Sequence, residues 1–243
     1  MSKEDVKISR KELKEDDEFI SFATMVLEQI VKYRMQIIAA VAAVVLIVSV
    51  IEIWKWWDDR KNAAASEMLF GIQEKLNGKG NEDDLDITVG SEKRMDSVKS
   101  LEKLIGEYPS TDAARIAELE IASLKMDLGD YAGAIKNADK FLSGKIRNDL
   151  IHQEGLQLKG FALLKSGDAA GAAGIFRKIA DSKDASAKDQ VLLNLGIALE
   201  KSGDKKGAAD AFGRIGSEIP NSPLKDLADA KVSELTDASE KAK

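Results

Sequence analysis

Two stretches of this chain, LLKSGDAAGAAGIF beginning at Leu163 and LEKSGDKKGAADAF beginning at Leu199, are near copies set thirty-six residues apart. Self-similarity at such a period marks stacked copies of one supersecondary unit, because a single unit cannot bury its apolar face alone. Aligning on the Gly-Asp dipeptide exposes a third copy: Gly129-Asp130, Gly167-Asp168 and Gly203-Asp204, spaced by 38 and 36 residues. No strand pattern precedes these glycines and no GK[ST] follows, so they do not form a phosphate-binding loop. The three prolines, Pro109, Pro220 and Pro223, fall between helical patterns rather than within them, and the chain reads as all-α.

Each copy carries a small residue before its turn (Ala122, Gly160, Gly196) and an alanine after it (Ala134, Ala172, Ala208). Two antiparallel helices cross closely where such residues remove bulk, a larger side chain fills the gap, and glycine permits the tight corner. The aromatic position beyond the alanine holds Phe176 and Phe212 in two copies and Ala138 in the first. Around these turns the chain resembles tetratricopeptide (TPR) repeats. It departs from that pattern at the early tryptophan, replaced by Glu118, Leu156 and Leu192, and at the closing proline, present only as Pro220.

The pattern continues on both sides. Val98, Leu101, Leu104 and Ile105 form an amphipathic second helix ending at Tyr108-Pro109, and Ala65, Met68, Leu69, Ile72 and Leu76 form its partner. NGKGNEDDLDITVGSEKR between them reads as a long polar loop. Leu224, Leu227, Ala228, Val232 and Leu235 form a terminal capping helix. The expected architecture is a single N-terminal transmembrane helix followed by a TPR-like α-solenoid of about four helix pairs with a C-terminal cap.

The span is MQIIAAVAAVVLIVSVIEIW, from Met35 to Trp54, about the twenty residues needed to cross a hydrocarbon core. Trp54, Trp56 and Trp57 close it as an aromatic belt. A cleaved signal peptide would have a shorter apolar region and a small-residue exit directly after it; here a long charged segment precedes the run and WKWWDDRK follows. A core helix would be apolar on one stripe rather than all round. The boundaries expected are a charged cytoplasmic tail with an amphipathic helix at 1–34, the span at 35–57 and the repeat domain at 58–243. The tail helix presents Phe19, Phe22, Ala23, Val26, Ile30 and Tyr33 on one face, behind the acids Glu15 to Glu18. Lys and Arg are more numerous on the N-terminal side of the span than just beyond it, so the tail is expected to stay cytoplasmic and the C-terminal domain to be translocated, into the periplasm, with the span in the inner membrane, if the source is bacterial. Ala39 and Ala43 form a small-xxx-small pair, the motif of helix dimers, so a homodimer is one open possibility.

The chain has no cysteine and one histidine, His152, which excludes disulfides, thiolate metal sites and cysteine nucleophiles. Its net charge of −6, with no basic stripe, argues against nucleic acid. His152 has no nucleophile or metal partner nearby in sequence, so no enzyme, cofactor or metal site is expected.

In TPR proteins a concave groove is lined by first-helix positions. The resemblance places Leu119, Met126, Gln157, Phe161, Leu164, Lys165, Gln190, Leu193, Ile197, Glu200 and Lys201 there. An exposed groove of this kind suits extended or partly folded polypeptide; the same residues could instead be covered by the cap or by a second copy. A clamp for C-terminal carboxylates would need several basic and Asn groove residues, and only Asn194 has that character. The layout as a whole resembles the YfgM-like family of inner-membrane proteins. That resemblance implies a periplasmic TPR domain, association with the SecYEG translocon and periplasmic chaperones, and help to newly translocated client polypeptides. The alternative is a scaffold or assembly factor for another envelope complex, such as secretion or cell-wall machinery.

Overall fold

The computed structural model describes residues 24–29, 31–77, 87–144, 148–182 and 186–240. The acidic run of the tail, its residues Phe19, Phe22, Ala23 and Ile30, and residues 78–86 of the expected loop lie outside them. Among the described residues there is no strand. Residues 24–29 and 31–32 of the tail are helical, and the helices that follow are α1 (Arg34–Asn77), α2 (Ile87–Glu107), α3 (Asp112–Asp127), α4 (Tyr131–Ser143), α5 (Asp149–Ser166), α6 (Ala169–Ala180), α7 (Lys188–Ser202), α8 (Lys205–Glu218) and α9 (Lys225–Glu240). Packing divides the chain into one unit of residues 1–60 and another of residues 61–243. In the first, α1 is long and apolar enough to cross a membrane, and none of its apolar window is buried. A soluble core helix would be mostly enclosed.

In the second unit each helix from α2 to α9 packs on the next, and α3 also touches α5. Three pairs, α3–α4, α5–α6 and α7–α8, are closed by the Gly-Asp turns. Gly129, Gly167 and Gly203 have φ of 79°, 95° and 90°, the left-handed region that glycine occupies without penalty. The following aspartate caps the second helix: Gly133 N–H donates to Asp130 Oδ1 (2.9 Å), Gly171 N–H to Asp168 Oδ1 (2.8 Å) and Gly207 N–H to Asp204 Oδ1 (2.9 Å). The corner is thus a Gly-Asp-x-x-Gly unit, since a Cβ on the second glycine would lie within 2.1–2.4 Å of the capping carboxylate.

Inside the pairs, the small residues expected at the crossings meet aromatic rings. A Cβ on Gly160 would lie 2.8 Å from Phe176, and one on Gly196 would lie 2.3 Å from Phe212. In the first copy Ala122 and Ala138, both fully buried, occupy the two positions. Phe141 there turns to the next copy, where a Cβ on Gly155 of α5 would lie 2.4 Å from its ring.

Two expectations change. The polar stretch expected to be a loop through Arg94 is helical from Ile87, so α2 begins a full two turns early. Glu92 there is exposed, Ser91, Lys93 and Arg94 are half-buried, and Arg94 pairs with Asp127 of α3 at 3.6 Å. The partnership expected of α1 with α2 alone is the second. Ala65, Leu69 and Ile72 of α1 share a buried cluster with Val98, Leu101 and Leu104 of α2, but also with Ala113, Ala117 and Ile121 of α3. The polar links from α1 go to α3: Gln73 Nε2 donates to Glu120 Oε1, and Asp112 N–H donates to Asn62 Oδ1 (3.3 Å).

The crossings generate a paired prediction. Gly196→Ala forces its Cβ into the Phe212 ring and is expected to destabilise the domain by about 1–3 kcal/mol. Gly213→Ala, on the open side of α8 with nothing within 4 Å of its Cβ, is expected to be neutral or stabilising by up to about 1 kcal/mol. Urea unfolding of the two variants checks this, and equal midpoints would remove the steric account of the crossing.

Candidate protein-binding groove

The positions expected to line a groove lie on the first helices of the three pairs. Gln157, Phe161, Leu164 and Lys165 of α5 follow the i, i+4, i+7, i+8 spacing of one helix face, as do Leu193, Ile197, Glu200 and Lys201 of α7. The opposite faces carry Leu156 and Gly160, or Leu192, Leu195 and Leu199, into the core. Gln157, Phe161, Leu164, Leu193, Ile197 and Glu200 are half-buried, while Lys165, Gln190 and Lys201 are exposed. On α3, Met126 is half-buried and Leu119 is buried, at 7% exposure.

Phe161 meets Phe176 edge to face, with centroids 5.4 Å apart, so the ring beneath the groove is the same one that seats on Gly160. Phe161, Leu164, Leu193 and Ile197 all back onto the larger apolar cluster, which runs from α5 through α9. Two links tie this surface to the C-terminal segment: Lys231 Nζ of α9 lies 3.3 Å from Glu200 Oε1, and Ser222 Oγ donates to Asp189 Oδ2 (2.7 Å). Lys231 is a residue that sequence reasoning passed over. Repeat alignment stops at the cap, so nothing in the periodicity marks it.

Polar groups beside the groove differ between copies. In the first, Glu118 is buried and accepts from Asn137 Nδ2 (2.5 Å) and Lys140 Nζ (3.2 Å), while Asn137 Oδ1 accepts from Lys125 Nζ (3.2 Å). Two residues on, Glu120 takes the hydrogen bond from Gln73, and its Oε2 is buried without a partner among the described residues. The same repeat position in the third copy is Asn194, whose Nδ2 is likewise buried and unpartnered there. Asn194 Oδ1 accepts from Gln190 Nε2 at 3.4 Å.

Away from the groove, a cleft of about 300 Å³ is lined by Asp149, His152, Gln153, Leu156, Lys178, Ile179 and Ser182. Among the described residues no group of His, Cys, Asp and Glu is placed to hold a metal ion. The cleft gathers His152, Asp149, Lys178 and Ser182 along one lining.

Burial raises the Glu120 carboxyl above its ordinary range, and the hydrogen bond from Gln73 draws it partly back. The folded state therefore holds this proton more readily than the unfolded chain. Its contribution to stability is full below the ordinary carboxylate value and is lost as pH rises through the raised one. Relative to Glu120→Gln, the parent is expected to gain stability as pH falls from neutral toward the ordinary carboxylate range. Urea midpoints of both proteins that shift in parallel would contradict it.

A family model described as a tetratricopeptide repeat-like domain matches residues 31–237. No curated protein matches the chain. Domains of this kind are interaction modules that typically bind proteins and are generally not enzymes. The match takes in the apolar run as well as the Gly-Asp corners and the small-residue crossings, and the chain belongs to the tetratricopeptide repeat-like domain family.

Proposed function

We propose that this protein is a membrane-anchored interaction module whose concave groove binds other polypeptides at the outer face of a bacterial inner membrane. The observation that carries this reading is the apolar window of α1: none of it is buried, and it falls within the same family match as the repeats. An unburied apolar segment of this length beside an interaction domain supports an anchor. Residues 1–34 are then a cytoplasmic tail, 35–57 the span, and 58–243 a periplasmic domain of four helix pairs and a cap, with the α1–α2 pair counted as the first.

A groove that is apolar along its floor and charged at its rim suits segments that have not finished folding. The role that fits a periplasmic groove held at the membrane is an ancillary translocon subunit, beside SecYEG, or a chaperone-like factor receiving newly translocated envelope proteins. A scaffold for a different envelope complex would hold one stoichiometric partner, and a homodimer would hold a second copy.

Because the chain has no cysteine, single introduced cysteines report topology without background. Ser217→Cys, exposed on α8, is expected to react with a membrane-impermeant maleimide in intact spheroplasts, and Ser21→Cys only after permeabilisation. The reverse pattern would overturn the orientation. Crosslinking in cells from probes at Phe161 and Ile197 is expected to capture many envelope proteins in substoichiometric amounts; one abundant partner would replace the client-binding role with the scaffold.

A further inference from the structure

The three pairs differ at their open ends, opposite the Gly-Asp corners. In the third pair Glu218, at the end of α8, lies 2.7 Å from Lys188 of α7 and 2.6 Å from Arg214 of its own helix. In the first, Lys140 of α4 holds the carboxylate of Glu118 at 3.2 Å, and Arg115 of α3 fills the space at Gly144, where an added Cβ would stand 2.9 Å from Arg115 Cδ. Lys140 and Arg214 occupy one repeat position, eleven residues beyond the turn glycine. Both pairs thus set a carboxylate of their own against that cation.

The second pair keeps the cation, as Lys178, but not the carboxylate. The repeat register puts Leu156 where Glu118 stands, Ser182 where Glu218 stands and His152 where Lys188 stands. Asp181, next to Ser182, is committed to Arg214 at 3.1 Å. Between these positions lies the cleft of about 300 Å³, the size of a small-molecule site. Its floor is the buried Leu156, Ile179 and Gln153, and Gln153 Oε1 is held by the N–H of Ser186 at 2.9 Å. Its rim carries Lys178 and Ser182 from the end of α6, and Asp149 and His152 from the start of α5. Asp149, Lys178 and His152 have no ion pair among the described residues. A simple anion attracted to Lys178 is repelled by Asp149, and a simple amine meets the converse. A molecule that bears both charges satisfies both ends of the rim.

We propose that this cleft binds a free apolar amino acid. Its carboxylate meets Lys178, with His152 and Ser182 as further donors, its ammonium meets Asp149, and its side chain lies over Leu156 and Ile179. The carboxylate then does for α5 and α6 what Glu218 does for α7 and α8, where Lys188 and Arg214 grip it from two helices. Only a free amino acid carries both charges on a single residue, so an internal stretch of polypeptide does not match the rim. The site is separate from the groove and stands whether or not the groove binds protein.

His152 is the one histidine of the chain, so histidine labelled with carbon-13 gives a single imidazole signal at the rim. The test follows that signal at fixed pH in the full chain in nanodiscs, titrated with L-leucine, with leucinamide, which lacks the carboxylate, and with 4-methylpentanoate, which lacks the ammonium. Leucine is expected to shift the signal saturably, with an affinity about threefold to fivefold above either analogue, the range for one partly exposed charge pair. Ser182→Glu, which restores the carboxylate of the third pair, is expected to abolish the response. Lys178→Met is expected to make leucine and leucinamide bind alike. Both positions are exposed, circular dichroism checks folding, and Lys178→Met carries the test should Ser182→Glu not fold. No saturable shift with leucine, either analogue binding as tightly as leucine, or a leucine preference unchanged in the variants would overturn the proposal.

Discussion

A phenyl ring seated on a backbone that has no Cβ is the contact on which the repeat domain depends. Phe141, Phe176 and Phe212 are at most 1% exposed, and each occupies the space that a side chain on Gly155, Gly160 or Gly196 would fill. Close packing leaves no slack for a methyl group at such a crossing. The ring thus sets how near two helices approach, and the corner residues must deliver them at that distance. Gly155 and Gly160 are five residues apart on α5, which places them about 140° apart around the helix. The α5 helix is therefore gripped from two sides, by Phe141 of α4 and Phe176 of α6. One helix serves both as the small partner within its own pair and as the small partner of the preceding copy.

The first copy solves the same problem with polar groups. Ala122 and Ala138, both fully buried, hold its two crossing positions, and the carboxylate of Glu118 bridges to Asn137 and Lys140 of α4. A buried charge left without partners is strongly destabilising, whereas a satisfied one contributes little net stability over an apolar replacement. Its effect is on pairing. The positions matching Asn137 and Lys140 are Ile175 and Lys178 on α6, and Ala211 and Arg214 on α8. Set against either helix, Glu118 would lose the amide of Asn137. In α3–α4 it keeps both donors, so among near-identical hairpins this one has a single matching second helix.

The corners, the crossings and the family were legible in the sequence because all three follow from residues recurring at one spacing. Gly155 was not, since its partner Phe141 belongs to the preceding copy and the contact crosses the period instead of repeating within it. The early start of α2 was hidden for a different reason. Residues from Ile87 to Arg94 carry almost no apolar stripe, and α2 buries Val98, Leu101 and Leu104 only further on. The joint role of Gln73 and Glu120 was equally invisible, being a link from α1 to α3 outside the matched pairs. Positions of the groove residues on the first-helix faces came from the repeat register; their differing exposure came from packing that register does not encode, as the burial of Leu119 beside the exposure of Lys165 demonstrates.

The ion pairs near the turn ends of the first helices are better understood through potential than through stability. Pairs such as the half-buried Lys231–Glu200 at 3.3 Å and the exposed Arg94–Asp127 at 3.6 Å contribute about 1 kcal/mol or less each, and salt weakens them further. Losing one would hardly be felt by the fold. Yet each places a cation beside an acid near the ends of the first helices, where the local potential is set over several ångströms. Helices outside the three matched pairs, α2 and α9, supply both of these cations, and Lys231 is shared between Glu200 and Glu234.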